Sequence, residues 1–223
     1  MFHYRWSQSP DKEAASIRVL EQLFAGRAPA RKRDAQASVI SRMGERLPLV
    51  GATPENAPVI TASFQRFATL LNAHLEQSLF IFGGRPSAAD FAIAGQLQQM
   101  LLDPTMNTWL NESAPFIVAW CEFMETPTPG APFTELDKLS ETLLPLFRDE
   151  VSVTYLPWAD ANSAAITKRK KDVSVELSDG PYTQATQRYA AKSYRAVKKA
   201  VEKLGKAEGL SAFLDATGAK GYL

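Results

Sequence analysis

One apolar stripe constrains this chain more than any other feature. Between about Pro58 and Leu79, the residues Ile60, Phe64, Phe67, Leu71, Leu75 and Leu79 recur at steps of three and four. That is the period at which side chains line one face of an α-helix. A long helix with a single apolar face needs other elements to cover it. The rest of the sequence offers mostly helices for that task.

Ahead of the stripe, Asp11 to Phe24 reads as an amphipathic helix with Ile17, Leu20, Leu23 and Phe24 inward and Gly26 as its stop. A basic stretch (Arg27, Arg31, Lys32, Arg33) leads into a second helical pattern through Val39, Ile40 and Met43. Pro48, Gly51, Pro54 and Pro58 then crowd together too closely for helix. Beyond the stripe, Gly83-Gly84 ends the long helix, and the next opens at Ser87 with Phe91, Ala94, Leu97 and Leu101 inward. Asp103-Pro104 closes it, since proline pushes the preceding residue out of helical geometry. A short turn is expected around Trp109 and Leu110, followed by a helix with Pro115 at its first position and Val118, Cys121 and Met124 buried beside Trp120.

Pro127, Pro129 and Pro132 mark the next break, and Leu136, Leu139, Leu143 and Phe147 a further helix bent or ended at Pro145. A short helical stretch from Asn162 runs into Lys168-Arg169-Lys170-Lys171. The period then changes to two: Val173, Val175 and Leu177 alternate with polar residues, Ser178-Asp179-Gly180 turns, and Pro181-Tyr182-Thr183-Gln184 returns. This predicts a β-hairpin over 172–186, followed by a basic helix over 188–204 with Tyr194, Val197, Val201 and Leu204 inward. The expected organisation is a helical domain over 1–150 with an extension over 151–223 packed on it.

The most specific segment is Gly83-Gly84-Arg85-Pro86-Ser87-Ala88-Ala89-Asp90-Phe91. Ser87 and Asp90 have the spacing of a capping box, in which each side chain satisfies the other residue's backbone N–H. Asp90 also sets negative charge at the positive end of the helix dipole. Around the box stand an aromatic cluster (Leu79-Phe80-Ile81-Phe82), Asp103-Pro104, and Ala114-Pro115 ahead of Trp120. Across about Pro58 to Met124 this resembles the C-terminal, all-helical domain of the glutathione transferase family, where a Ser/Thr-x-x-Asp box is a folding element. The resemblance is loose before that segment and fades after Pro127. The stretch from Tyr155 to Tyr194 resembles the longer tail of some bacterial transferase-like proteins.

The resemblance implies an all-α bundle with a small hairpin and a basic helix in its C-terminal extension. In that family a thioredoxin-like domain precedes the bundle, holds glutathione and supplies the Tyr, Ser or Cys that activates the thiol. Here the first helix is expected near Asp11 with no room upstream for such a domain, so its residues map to nothing in this sequence. Glutathione is thus implied for a full-length family member and no cofactor is expected in this chain. The helical half supplies the pocket for a hydrophobic co-substrate, and the positional analogy places His3, Tyr4, Arg5 and Trp6 beside it.

Other chemistry finds little support. His3 and His74 are the only histidines, and neither has a partner at metal-ligand spacing, so no metal is expected. His74 reads as structural and Cys121 as a buried, inert thiol. Ser87 and Asp90 are occupied in capping, which leaves no catalytic candidate. Residues 1–150 carry 13 Lys and Arg against 17 Asp and Glu, whereas residues 151–223 carry 12 against 7. That basic tail is too weak for a nucleic-acid interface and reads as a solvated face.

A single cysteine fits a reducing compartment, and no apolar run is long enough to cross a membrane, so a cytoplasmic location is expected. The leading expectation is a glutathione-transferase-like protein. Its family role would be glutathione-dependent transfer to a small hydrophobic electrophile, with this chain inactive alone. The alternative is a non-catalytic module for protein interaction or small-ligand binding. At least part of the cluster Phe2, Tyr4 and Trp6 is expected as an exposed aromatic patch facing a thioredoxin-like domain or a second subunit, the alternative being that it folds back on the chain's own helices, with a homodimer left open.

Overall fold

The computed structural model describes residues 1–24, 32–205, 207 and 209–223. Two short helices open the chain, α1 (Phe2–Ser7) and α2 (Asp11–Leu23), followed by α3 (Lys32–Gly44) and a 3-10 turn at Leu47–Val50. The long helix α4 (Ala57–Gln77) comes next, then α5 (Ala88–Leu101), α6 (Pro104–Ser113) and α7 (Pro115–Phe123). A rod follows: α8 (Leu136–Leu146), a π-helical segment (Phe147–Tyr155) and α9 (Leu156–Thr167). Strands β1 (Asp172–Leu177) and β2 (Gly180–Ala185) form the hairpin, and α10 (Arg188–Leu204) and α11 (Leu210–Thr217) complete the chain. The expected stop at Gly26 and the basic residues Arg27 and Arg31 lie outside the described residues.

The α4 stripe forms the centre of the main core. Ala68, Leu71 and His74 are fully buried, with Phe64, Phe67 and Leu75 half-buried around them. Leu97 and Met100 of α5, Leu110 of α6, Ile117 and Cys121 of α7, and Leu139, Leu143 and Leu146 of α8 close over it. Leu79 falls beyond the helix end and is exposed. A second cluster unites Leu156 and Ala159 with Tyr194, Leu214 and Ala219, and this holds α9, α10 and α11 together.

The Gly83-Gly84 turn is a packing point. Gly83 has φ +104, and a Cβ there would stand 2.1 Å from Thr134 Oγ1. One on Gly84 would meet Ala131 Cβ at 2.4 Å. The proline-rich loop before α8 lies directly on this backbone: the Gly130 and Ala131 N–H groups donate to Gly84 O at 2.8 and 3.0 Å.

Several expectations need correction. The turn at Trp109 and Leu110 is a full helix, α6, because Pro104 occupies its first turn, where no N–H is required. Asp11 adds a cap, its Oδ1 accepting the Thr105 N–H at 2.9 Å. The α-helical turns of α8 do end one residue past Pro145, at Leu146, but the rod does not break there: it passes into a π-helical segment, whose wider turn takes up the irregularity, and continues as α9. The helical stretch expected from Asn162 is the last part of that rod. Phe91 points outward and is 55% exposed, while Asp90 and Met100 face in. Leu23, Phe24, Val197 and Leu204 are exposed rather than inward. The first helix, expected near Asp11, is preceded by α1 (Phe2–Ser7), and α11 likewise was not expected.

The hairpin and α10 stand at the expected positions. Val173 pairs with Gln184 and Leu177 with Gly180, and Val173 and Leu177 are buried against the helical body.

Candidate functional site

A cleft of about 500 Å³ opens between α4, the π-helical segment with the start of α9, and the hairpin. Its size suits a small organic ligand. Helix α4 contributes Val59, Ile60, Ser63, Phe64 and Phe67, three of them from the apolar stripe. The rod contributes Glu150, Thr154, Tyr155 and Trp158, and the hairpin Leu177, Tyr182 and Gln184. The spacing explains the convergence. Residues 60, 64 and 67 lie along one α4 face, whereas 150, 154 and 158 recur every four residues on the rod. The Tyr155 and Trp158 rings lie 6.2 Å apart, and Trp158 Nε1 is buried without a hydrogen-bond partner among the described residues.

The hairpin wall is fixed by Asn56, which is 3% exposed. Its Nδ2 donates to Gly51 O at 2.8 Å and to Thr183 O at 2.7 Å, and its Oδ1 accepts the Thr183 N–H at 3.2 Å. The asparagine side chain thereby pairs with the outer edge of β2 as a strand would. Gly51 adopts φ +71, and a Cβ at that position would overlap Tyr182 Oη at 2.2 Å. The Tyr182 hydroxyl donates to Gln184 Oε1 at 2.7 Å.

One end of the cleft is polar. Glu150 is the charged residue among its described lining residues, and it is 7% exposed. Ser63 donates to Oε1, and Arg66 Nε donates to Oε2 at 2.9 Å. Arg66 is shared: its Nη1 and Nη2 reach Asp179 at 2.9 and 2.7 Å. A single guanidinium therefore faces two carboxylates. Burial raises the Glu150 carboxyl above its ordinary range, and this outweighs the opposing contributions of Ser63 and Arg66. Arg66 holds the more exposed Asp179 below its ordinary range.

The residues singled out at the N-terminus lie elsewhere. Tyr4 and Trp6 are buried at 8% and 5% exposure and Phe2 is half-buried, so these rings do not form the expected exposed patch. They fold back because the chain's own α4 and α6 offer aromatic cover: Tyr4 packs edge-on to Phe64 at 5.8 Å, and Phe64 in turn meets Trp109. Tyr4 thus stands behind a cleft-wall residue and does not line the cleft. Arg5 turns to Asp103, with Nε at 2.8 Å from Oδ2, and Arg18 joins the same buried carboxylate. His3 meets Tyr4 edge-on, and burial lowers the pKa of His3.

Ser87 and Asp90 form the capping box that opens α5. His74 bonds through Nδ1 to Thr142 Oγ1 at 2.9 Å and through Nε2 to Ile81 O at 3.1 Å. The carbonyl requires a proton on Nε2, which leaves Nδ1 to accept from the threonine. Burial lowers the pKa of His74. The Cys121 thiol is pushed up to about 12 by burial.

The sequence reading singled out no cleft residue from the rod or the hairpin as functional. One signal was available: Ser63 and Arg66 sit three residues apart beside the α4 stripe, marking a polar border that needs a partner.

Residues 31–123 match the family model described as glutathione S-transferase, C-terminal domain. The chain therefore contains that domain, and the match begins well ahead of Pro58. It takes in α3 to α7, so the α4 wall of the cleft lies inside it and the rod and hairpin walls lie beyond it. Comparisons with curated proteins and with solved structures give no match.

Proposed function

We propose that this chain is a non-catalytic small-ligand-binding module, in which a glutathione S-transferase C-terminal domain supplies one wall of the site and the C-terminal extension the others. The observation that carries this reading is the cleft itself: about 500 Å³, walled mainly by apolar and aromatic side chains and bordered by a few bonded polar groups. That is the usual character of a small-molecule site.

The chain alone does not conjugate glutathione in this reading. Glutathione carries two carboxylates, and the cleft's described lining offers them Glu150 and no cation, so the donor set does not fit it. The single thiol, Cys121, is buried in the core with a raised pKa and cannot act as a ready thiolate.

Calorimetric titration of the full chain with an uncharged aromatic hydrocarbon, tert-butylbenzene, tests the reading. Saturable one-to-one binding is expected, lost when Ile60→Trp fills the cleft. Binding unaffected by that substitution, or no binding at all, would sink the proposal. A parallel titration with glutathione is expected to show no saturation below about 1 mM, the level equivalent to roughly −4 kcal/mol.

A further inference from the structure

We infer that the cleft's ligand is an organic cation, an apolar body bearing an ammonium or quaternary ammonium group that settles among aromatic rings beside Glu150. This rests on the reading of the cleft as a ligand site and adds the chemical class.

Three observations carry it. First, the rings of Phe64, Phe67, Tyr155, Trp158 and Tyr182 all line the one cleft. The faces of aromatic rings carry negative potential, and a group of them around one space is how proteins hold quaternary ammonium ligands. Second, Glu150 is the charged residue in the described lining, whereas its partner Arg66 and the competing Asp179 stand outside that lining. The cleft is therefore presented with the anion of the network and not its cation.

Third, the local charge is unbalanced. Arg66 faces both Glu150 and Asp179, and the neighbouring Arg148 is already paired with Asp149 at 2.7 Å. Among the described residues of this network, two cations stand against three carboxylates. An anionic ligand would meet a carboxylate and no cation in the described lining, and an uncharged one would leave that carboxylate without a counter-charge on the cleft side.

The test compares two probes of one shape, benzyltrimethylammonium and neopentylbenzene, in which a quaternary carbon replaces the nitrogen. Each is titrated into the full chain by calorimetry. The cation is expected to bind at least about tenfold more tightly, within the range that ring faces and a nearby carboxylate provide. E150Q should remove most of that preference, read as the ratio of the two probes' affinities. I60W should abolish binding of both. The comparison in the unaltered chain stands even where E150Q fails to fold.

Equal or tighter binding of neopentylbenzene overturns the cation assignment while the ligand-site reading survives. Cation binding that persists in I60W, or a preference unchanged in E150Q, likewise overturns the assignment. Failure of both probes to bind the unaltered chain overturns the ligand-site reading and the inference with it.

Discussion

Replacing Asp90 with alanine should destabilise this protein well beyond the loss of an ordinary helix cap. Asp90 is completely buried. Its Oδ2 accepts the Ser87 N–H at 2.8 Å and the Ser87 hydroxyl at 2.6 Å, and its Oδ1 accepts the Ile81 N–H at 2.7 Å. One carboxylate therefore starts α5 and also fixes the turn that leaves α4. Loss of the cap costs about 0.5–2 kcal/mol, and leaving the Ile81 N–H without its partner adds about 1–3 kcal/mol. Together these give about 1.5–5 kcal/mol. With a denaturant slope near 2 kcal/mol/M, the urea midpoint should fall by roughly 0.75–2.5 M. Ser87→Ala leaves the bond to Ile81 in place and should cost only about 0.5–2 kcal/mol. Asp90→Asn keeps one acceptor oxygen and should fall between the two. An unchanged midpoint for Asp90→Ala would refute the account of this turn.

Gly83→Ala forces a side chain onto Thr134 at φ +104 and should cost about 1–3 kcal/mol in strain alone. Limited proteolysis should then cut within 127–134, the loop seated on that glycine. His74 has a folded pKa depressed below its ordinary 6.5 by burial, so its contribution is present above pH 6.5 and is lost as pH falls through the folded value. His74→Gln should accordingly flatten the stability decline between neutral and acidic pH in denaturant titrations. Glu150 has the opposite sign: its folded pKa is raised above the ordinary 4.5, so its contribution is complete below pH 4.5 and is lost as pH rises through the folded value. Relative to the parent chain, E150Q should gain stability as pH rises through that window. Cys121 should resist thiol reagents in the native protein and react promptly in denaturant, and rapid native labelling would contradict its burial in the core.

Local chemistry made much of this fold legible. The hairpin over 172–186 and the helix over 188–204 were readable because period, turn residues and flanking polarity agree there. The capping box was readable because its two side chains are three residues apart. What failed depended on partners far along the chain. Phe91 reads as inward by spacing, yet the helix start fixed by Asp90 rotates it to solvent. Pro145 reads as a bend or a stop, and only the packing of Leu143 and Leu146 in the core shows why the rod continues. Phe2, Tyr4 and Trp6 read as a patch because Phe64 and Trp109, which help to cover Tyr4, are some sixty and one hundred residues away. The cleft was hidden for the same reason. Glu150 meets Ser63 and Arg66 across more than eighty residues, and no local pattern announces that meeting.

The measurement that bears most directly on the ligand-site reading is a two-dimensional NMR titration of the full chain with tert-butylbenzene. The account predicts saturable shifts concentrated on Ile60, Phe64, Trp158 and Leu177, the residues that wall the cleft from three sides. Absence of saturation, or shifts centred instead on the shallow surface around Pro104 and Trp109, would contradict it.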